Sequence, residues 1–246
     1  MKLLVVCRRE LHVLFHSYVA YVLLAIFLVL SGYFFYSDLS FFILAGGHIL
    51  PTGLWQFVFL DMRLCVLLVL PLITMRLFAE EKKLGTIELL WTYPLRDRDV
   101  ILGKFLAAWI FYVVMLAPTT INKVVLYQYY AFDVPPVLAA YLGILLIGTA
   151  FLACGLFISS LTENQVLSAM GTYGVLVFFW FMTWNEEAVS ARLVPLLQGL
   201  SLFDRFFNFS RGVIDTRDVV FFLAFTALFL FFTHLSLSSR KWRGLR

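Results

Sequence analysis

The stretch Arg76-Leu77-Phe78-Ala79-Glu80-Glu81-Lys82-Lys83-Leu84-Gly85-Thr86-Ile87-Glu88-Leu89-Leu90 continues to Pro94, Arg96, Asp97, Arg98, Asp99 and Gly103-Lys104. It is the one strongly charged internal stretch in a chain of 246 residues that is 62% hydrophobic and 14% charged. Apolar runs flank it, at 57–75 before it and 101–125 after it. An uninterrupted run of about 20 apolar residues is long enough to cross the hydrocarbon of a bilayer as a helix. A charged, helix-forming insert between two such runs must lie on one membrane face, and there it can meet a soluble partner.

Outward from this segment, further apolar runs occupy 18–36, 137–161, 166–184 and 219–237, which makes six candidate spans. Ordinary soluble domains carry about 25% charged residues, well above the proportion here. No strict alternation of apolar and polar residues accompanies the runs, so a β-barrel does not fit. The sequence predicts an all-α membrane protein of six transmembrane helices. Residues 1–246 form a single membrane domain, and the lipid bilayer is its surrounding medium.

Lysine and arginine set the orientation. With the N-terminus inside, 13 of the 19 basic residues fall on the cytoplasmic side. The prediction is two cytoplasmic termini, with the first span serving as an uncleaved anchor. The net charge of +4 is spread over these topology signals, so no nucleic-acid partner is expected. Residues 185–217 fall outside. They mix Leu196, Leu200, Phe203 and Phe206 with Arg192, Asp204 and Arg205, a pattern suited to a short segment along the outer interface.

Chemistry-bearing motifs are few. The phosphate-cradling pattern G-x-x-x-x-G-K-[ST] is missing, since Gly103-Lys104 is followed by Phe105. Neither H-E-x-x-H nor G-x-S-x-G occurs. Cys7, Cys65 and Cys154 are far apart and show no metal spacing. His12 and His16 share a helix face, but without a third ligand nearby they read as an interfacial pair. No catalytic, cofactor-binding or metal residues are expected.

Asp61 and Arg63 interrupt the second run, where charge is costly and often functional. Two residues apart on a helix, they point to nearly opposite sides. Two readings stand: a polar lining of a translocation path or a dimer contact, and a span that starts later so that both groups reach the outer headgroups. Pro71 and Pro118 lie within spans and can serve as flexing points or static kinks. Gly143, Gly148 and Gly155 allow close helix packing. The charged loop has two readings as well: on composition alone, it is a solvated connection that fixes topology.

The order Met75-Arg76, Glu80-Glu81-Lys82, Gly85-Thr86-Ile87-Glu88-Leu89-Leu90, Pro94, Gly103-Lys104 resembles the loop after the second span of type-2 ABC exporter permeases. Leu202-Phe203-Asp204-Arg205-Phe206, Arg211-Gly212-Val213-Ile214-Asp215 and Ser239-Arg240-Lys241-Trp242 extend the resemblance over nearly the whole chain, with the gliding-motility-type permeases as the nearest match. The resemblance implies a cytoplasmic coupling helix, with Glu80, Glu81, Gly85, Thr86, Ile87, Glu88, Leu90 and Trp91 at an interface with a separate ABC ATPase subunit. ATP and Mg would then belong to that partner chain, and no cofactor to this one. A second permease copy or paralogue is a further implied partner, and an auxiliary membrane or periplasmic protein another. The implied setting is the inner (plasma) membrane of a bacterium or archaeon. The implied function is export driven by the partner's ATP hydrolysis. The alternative is a membrane scaffold that uses ATPase motion for assembly or motility without moving solute.

Overall fold

The computed structural model describes residues 2–44, 46, 53–86, 96–129, 132–182 and 199–243. Among them there is no strand. The helices are α1 (Lys2–Phe15), α2 (Tyr18–Leu44), α3 (Gly53–Lys83), α4 (Asp97–Leu116), α5 (Thr119–Tyr129), α6 (Val134–Leu161), α7 (Gln165–Phe181), α8 (Leu202–Ser210) and α9 (Thr216–Arg243).

Among the described residues, five segments are long and apolar enough to cross a membrane: Tyr18–Leu44, Leu54–Lys83, Asp97–Tyr129, Val134–Leu161 and Thr216–Ser239. The fifth of the six expected spans, represented by α7, is apolar but has 17 residues within the described part. At 1.5 Å per residue that is about 26 Å, against a hydrocarbon core of about 30 Å.

α6 is the central post, with α3 and α9 packed closely on it. Small residues on α6 make this closeness possible. A Cβ on Gly143 would collide with Phe209, one on Gly148 with Tyr112, and one on Gly155 with Thr74. α8, α4 and α3 therefore each lodge a side chain against a different glycine. The Tyr112 hydroxyl donates to the Ile144 carbonyl at 2.6 Å, which satisfies its polar end in a buried place.

The outer helices bury one stripe each. On α2 it is Ala20, Leu23, Phe27 and Ser31, and on α9 Phe222, Phe225, Phe229, Thr233 and Leu237. Spacings of three and four place each set on one face. The remaining faces of both helices are apolar and exposed, including Val22, Ile26, Val29, Leu223, Leu228 and Phe231. Exposed apolar faces of this extent suit contact with lipid.

The two prolines behave differently. Pro118 splits the third run into α4 and α5, because its ring and missing N–H prevent the regular ladder. The hydroxyls of Thr119 and Thr120 then donate to the carbonyls of Leu116 and Ala117, each at 2.7 Å. Pro71 leaves α3 continuous. There the Thr74 hydroxyl donates to the Pro71 carbonyl at 3.2 Å, and the Tyr173 hydroxyl donates to the Leu68 carbonyl.

The described part of the 185–217 segment is more deeply seated than an interfacial strip. Phe206 and Phe209 of α8 are fully buried, and α8 packs on α6. Ser201 caps α8 by accepting from the Asp204 N–H at 3.3 Å. Arg205 and Asn208 reach across to α9, donating to Asp218 Oδ1 at 2.9 Å and Oδ2 at 2.8 Å. Arg205 also donates to the Gly199 carbonyl through two nitrogens, at 2.9 and 2.7 Å. Gly212, at φ +82°, turns the chain against Pro136, where a side chain would both strain and collide. Arg205 and Asn208 of α8 with Asp218 of α9 thus build a clasp between the two helices.

Candidate coupling end and the buried charges

α1 carries Leu4, Val5 and Val13 exposed and Val6, Cys7 and Glu10 buried. It lies mainly on α4. Gly103 makes the contact close: a Cβ there would stand 2.7 Å from Val6 Cγ1 and 3.3 Å from the Cys7 backbone nitrogen. Lys104, the next residue, is 1% exposed. Its ammonium bridges two carboxylates, Glu10 Oε2 at 3.0 Å and Glu81 Oε1 at 2.9 Å. Arg9 adds a longer contact to Glu81 Oε1 at 3.6 Å. One lysine therefore joins α1, the end of α3 and the start of α4. A buried ammonium is tolerable only with such partners, because desolvating an unpaired charge costs several kcal/mol.

The end of α3 is also fastened to α6. Ser159 Oγ accepts from the Phe78 and Ala79 N–H groups at 3.1 and 3.0 Å, and donates to the Met75 carbonyl at 3.2 Å. Lys82 is buried and donates to the Ser160 carbonyl. Gly85, at φ +69°, then closes the helix. A glycine in the left-handed region is a common helix terminator, since a side chain there is strained. Leu84 N–H still bonds the Glu80 carbonyl at 3.0 Å, and Gly85 N–H bonds the Lys82 carbonyl at 3.1 Å. The Thr86 hydroxyl donates to the Glu81 carbonyl at 3.3 Å.

Of the interface residues expected from sequence, Glu80, Glu81, Gly85 and Thr86 therefore sit at this fastened helix end. Glu80 is partly exposed, and Glu81 has a side chain 14% exposed that is turned to Lys104. Ile87, Glu88, Leu90 and Trp91 lie outside the described residues, as do Leu89 and Pro94.

Arg63 faces the protein interior and is 3% exposed. Its guanidinium lies 4.2 Å from the ring centre of Trp180, 4.0 Å from Phe203 and 5.3 Å from Phe206. Contacts of cation over aromatic face contribute about 0.5–2 kcal/mol each, more where water is excluded. Arg63 thereby ties α3 to α7 and α8. Asp61 is partly exposed, and the two make no ion pair among the described residues. Asp61 lies within electrostatic reach of both the Arg63 guanidinium and the Asp38 carboxylate of α2. Sequence reading missed Asp38, because it lies beyond the apolar run while the helix continues to Leu44. It missed Glu10 as well. The signal there was an acidic residue beside two arginines on a short amphipathic helix.

His12 and His16 stack with ring centres 3.8 Å apart. Among the described residues, no group of three or more His, Cys, Asp or Glu side chains could hold a metal.

A family model for the ABC-2 family transporter protein matches residues 4–202. The chain belongs to that family of transporter membrane proteins. A search of curated proteins finds no match.

Proposed function

We propose that this ABC-2 family chain is the permease subunit of an exporter, driven by a separate ABC ATPase that docks on residues 80–91. Membership of the family supports the permease role. The observation that carries the docking proposal is the anchoring of the α3 end on both sides. Lys104 holds Glu81 to α1 and α4, and Ser159 and Lys82 hold it to α6.

A permease without a phosphate-binding loop of its own must receive ATP energy as mechanical displacement. A loop that only fixed topology would need no such anchorage. A load applied just beyond Gly85 passes through fixed contacts into four helices, α1, α3, α4 and α6. Charge at the docking face would set partner choice and encounter rate more than affinity.

In this reading the spans number six, with α7 and the residues after it forming the fifth. Both termini are cytoplasmic, in the plasma membrane of a bacterium or archaeon, and two such subunits pair. Co-purification tests the core of it. Tagged chain expressed with a cognate ABC ATPase brings that ATPase down in detergent, and hydrolysis responds to the permease. A chain that retains no ATPase and binds nucleotide by itself contradicts the reading.

A further inference from the structure

α8 meets its neighbours in two different ways. Toward α9 its polar groups are served, since Arg205 and Asn208 donate to Asp218 at 2.9 and 2.8 Å. Toward α3 they are not. The Arg63 guanidinium rests on the rings of Trp180, Phe203 and Phe206. Two of its three nitrogens, Nε and Nη1, are buried and have no hydrogen-bond partner among the described residues. Asp204 Oδ2 is buried and lacks a partner as well. Buried polar atoms left unpaired are rare and costly.

These unserved donors and this unserved acceptor carry opposite charge. Asp204 lies within electrostatic reach of Arg63, yet no ion pair joins the two among the described residues. Successive helix residues stand about 100° apart. Asp204 therefore flanks the face that Phe203 and Phe206 turn to Arg63, while Arg205 on its other side is taken by Asp218. Asp61 is the other carboxylate near Arg63. It sits two residues away on the same helix, points to nearly the opposite side, and is partly exposed to solvent.

A ring face holds a guanidinium without serving its N–H groups and without fixing its register. A carboxylate does both. The contact of α3 with α8 is therefore the loose one, and the contact of α8 with α9 the firm one. α3 is one helix from Gly53 to Lys83, unbroken at Pro71. Arg63 stands about 27 Å along it from Glu81, at 1.5 Å per residue. We propose that Arg63 and Asp204 form the ion pair of a second conformation, reached when α3 shifts against the α8–α9 unit and Arg63 leaves its aromatic seat. Shifts of about 1–2 Å between packed helices are enough for such exchanges. That an ATPase drives the shift rests on the docking reading above. The latch itself belongs to this chain alone and is tested without a partner, so its failure leaves the docking reading standing.

The test is a mutant cycle on the full chain in detergent, read by thermal unfolding. In the wild-type background Asp204→Asn removes no bond from Arg63, and is expected to shift the melting temperature by less than about 2 °C. Asp204 also favours the first turn of α8 through the helix dipole, an effect common to both backgrounds. Trp180→Leu weakens the aromatic seat and sends Arg63 to Asp204. In that background Asp204→Asn is expected to lower the melting temperature by about 4 °C more than it does alone. With Arg63→Met added, the extra loss disappears. Phe203→Leu takes the place of Trp180→Leu if that variant does not fold. Additive effects of Trp180→Leu and Asp204→Asn overturn the proposal, as does an extra loss that survives Arg63→Met. An extra loss with Asp61→Asn and none with Asp204→Asn gives the pair to Asp61 and overturns the latch on α8.

Discussion

At the residue scale, Lys104 joins three helices through one buried ammonium. Its ammonium is buried between Glu10 and Glu81, and 5.3 Å from the Phe78 ring. Replacing one member strands the others. Lys104→Met leaves the buried Glu10 carboxylate without a cation and Glu81 with only the longer contact to Arg9, and is expected to destabilise the chain by about 3–5 kcal/mol. Changing Lys104, Glu10 and Glu81 to Met together removes the stranded charge and is expected to cost less than the single change. Thermal unfolding in detergent measures both, and a single variant as stable as wild type would refute the assignment. Gly103→Val, next to it, pushes a side chain into Val6 and the Cys7 backbone. It should lift α1 off α4 and expose Cys7 to alkylation. The Gly103-Lys104 pair was legible in the sequence as a motif, yet its work was not. Its partners sit on α1 and at the end of α3, and helical periodicity carries no information on contacts between distant helices. Arg63 shows the same limit. Its place in a span was evident, but the aromatic enclosure comes from α7 and α8.

At the scale of elements, the apolar runs located the long helices and misplaced their ends. The run at 18–36 is the core of a helix that reaches Leu44, and the run at 57–75 lies inside Gly53–Lys83. Hydropathy falls where polar side chains begin, whereas backbone hydrogen bonds continue until a residue breaks them. The reverse occurs at Pro118, where apolar sequence is continuous and the helix is not. Thr119 and Thr120 after the proline were the readable sign, since their hydroxyls bond the Leu116 and Ala117 carbonyls at the break. The α8–α9 clasp was visible as an Asp204-Arg205 pair, but its acceptor, Asp218, lay on the next helix. Asp218→Asn weakens the charge-assisted bonds from Arg205 and Asn208. Each such bond contributes about 1.5–3 kcal/mol. Amide hydrogen exchange in 202–210 is therefore expected to quicken by about tenfold or more, while exchange in α6 stays unchanged. Equal exchange in wild type and variant would show that the clasp carries no stability.

At the scale of the whole molecule, the buried sides of α3, α4, α7, α8 and α9 gather around α6, α2 packs on α3, and broad apolar faces remain outward. The chain is a membrane transporter subunit of the ABC-2 family, and its orientation is open to direct test. Single cysteines introduced at positions 190 and 239 are expected to differ in labelling by an impermeant thiol reagent on intact cells, with 190 reactive and 239 silent. Cys7, Cys65 and Cys154 are buried and give little background. Burial, and then the Glu10 carboxylate, raise the Cys7 thiol pKa and lower its thiolate fraction further. Equal labelling at the two positions would contradict cytoplasmic termini. The central claim is that force enters through the segment after Gly85. Glu81 is a poor probe of it, because Glu81→Lys would break the Lys104 bridge inside the subunit whatever the partner does. Glu88 and Trp91, in the stretch that the family resemblance implies as the partner interface, are the informative positions. The decisive measurement is ATPase retention and permease-dependent ATP hydrolysis for Glu88→Lys and Trp91→Ala, with Asp133→Lys, which precedes α6, as the control. The expected result is loss of the ATPase or of coupled hydrolysis in the first two, with membrane insertion and thermal stability intact, and wild-type behaviour in the control. Full retention and coupling in both Glu88→Lys and Trp91→Ala would contradict the account and leave the loop as a determinant of topology alone.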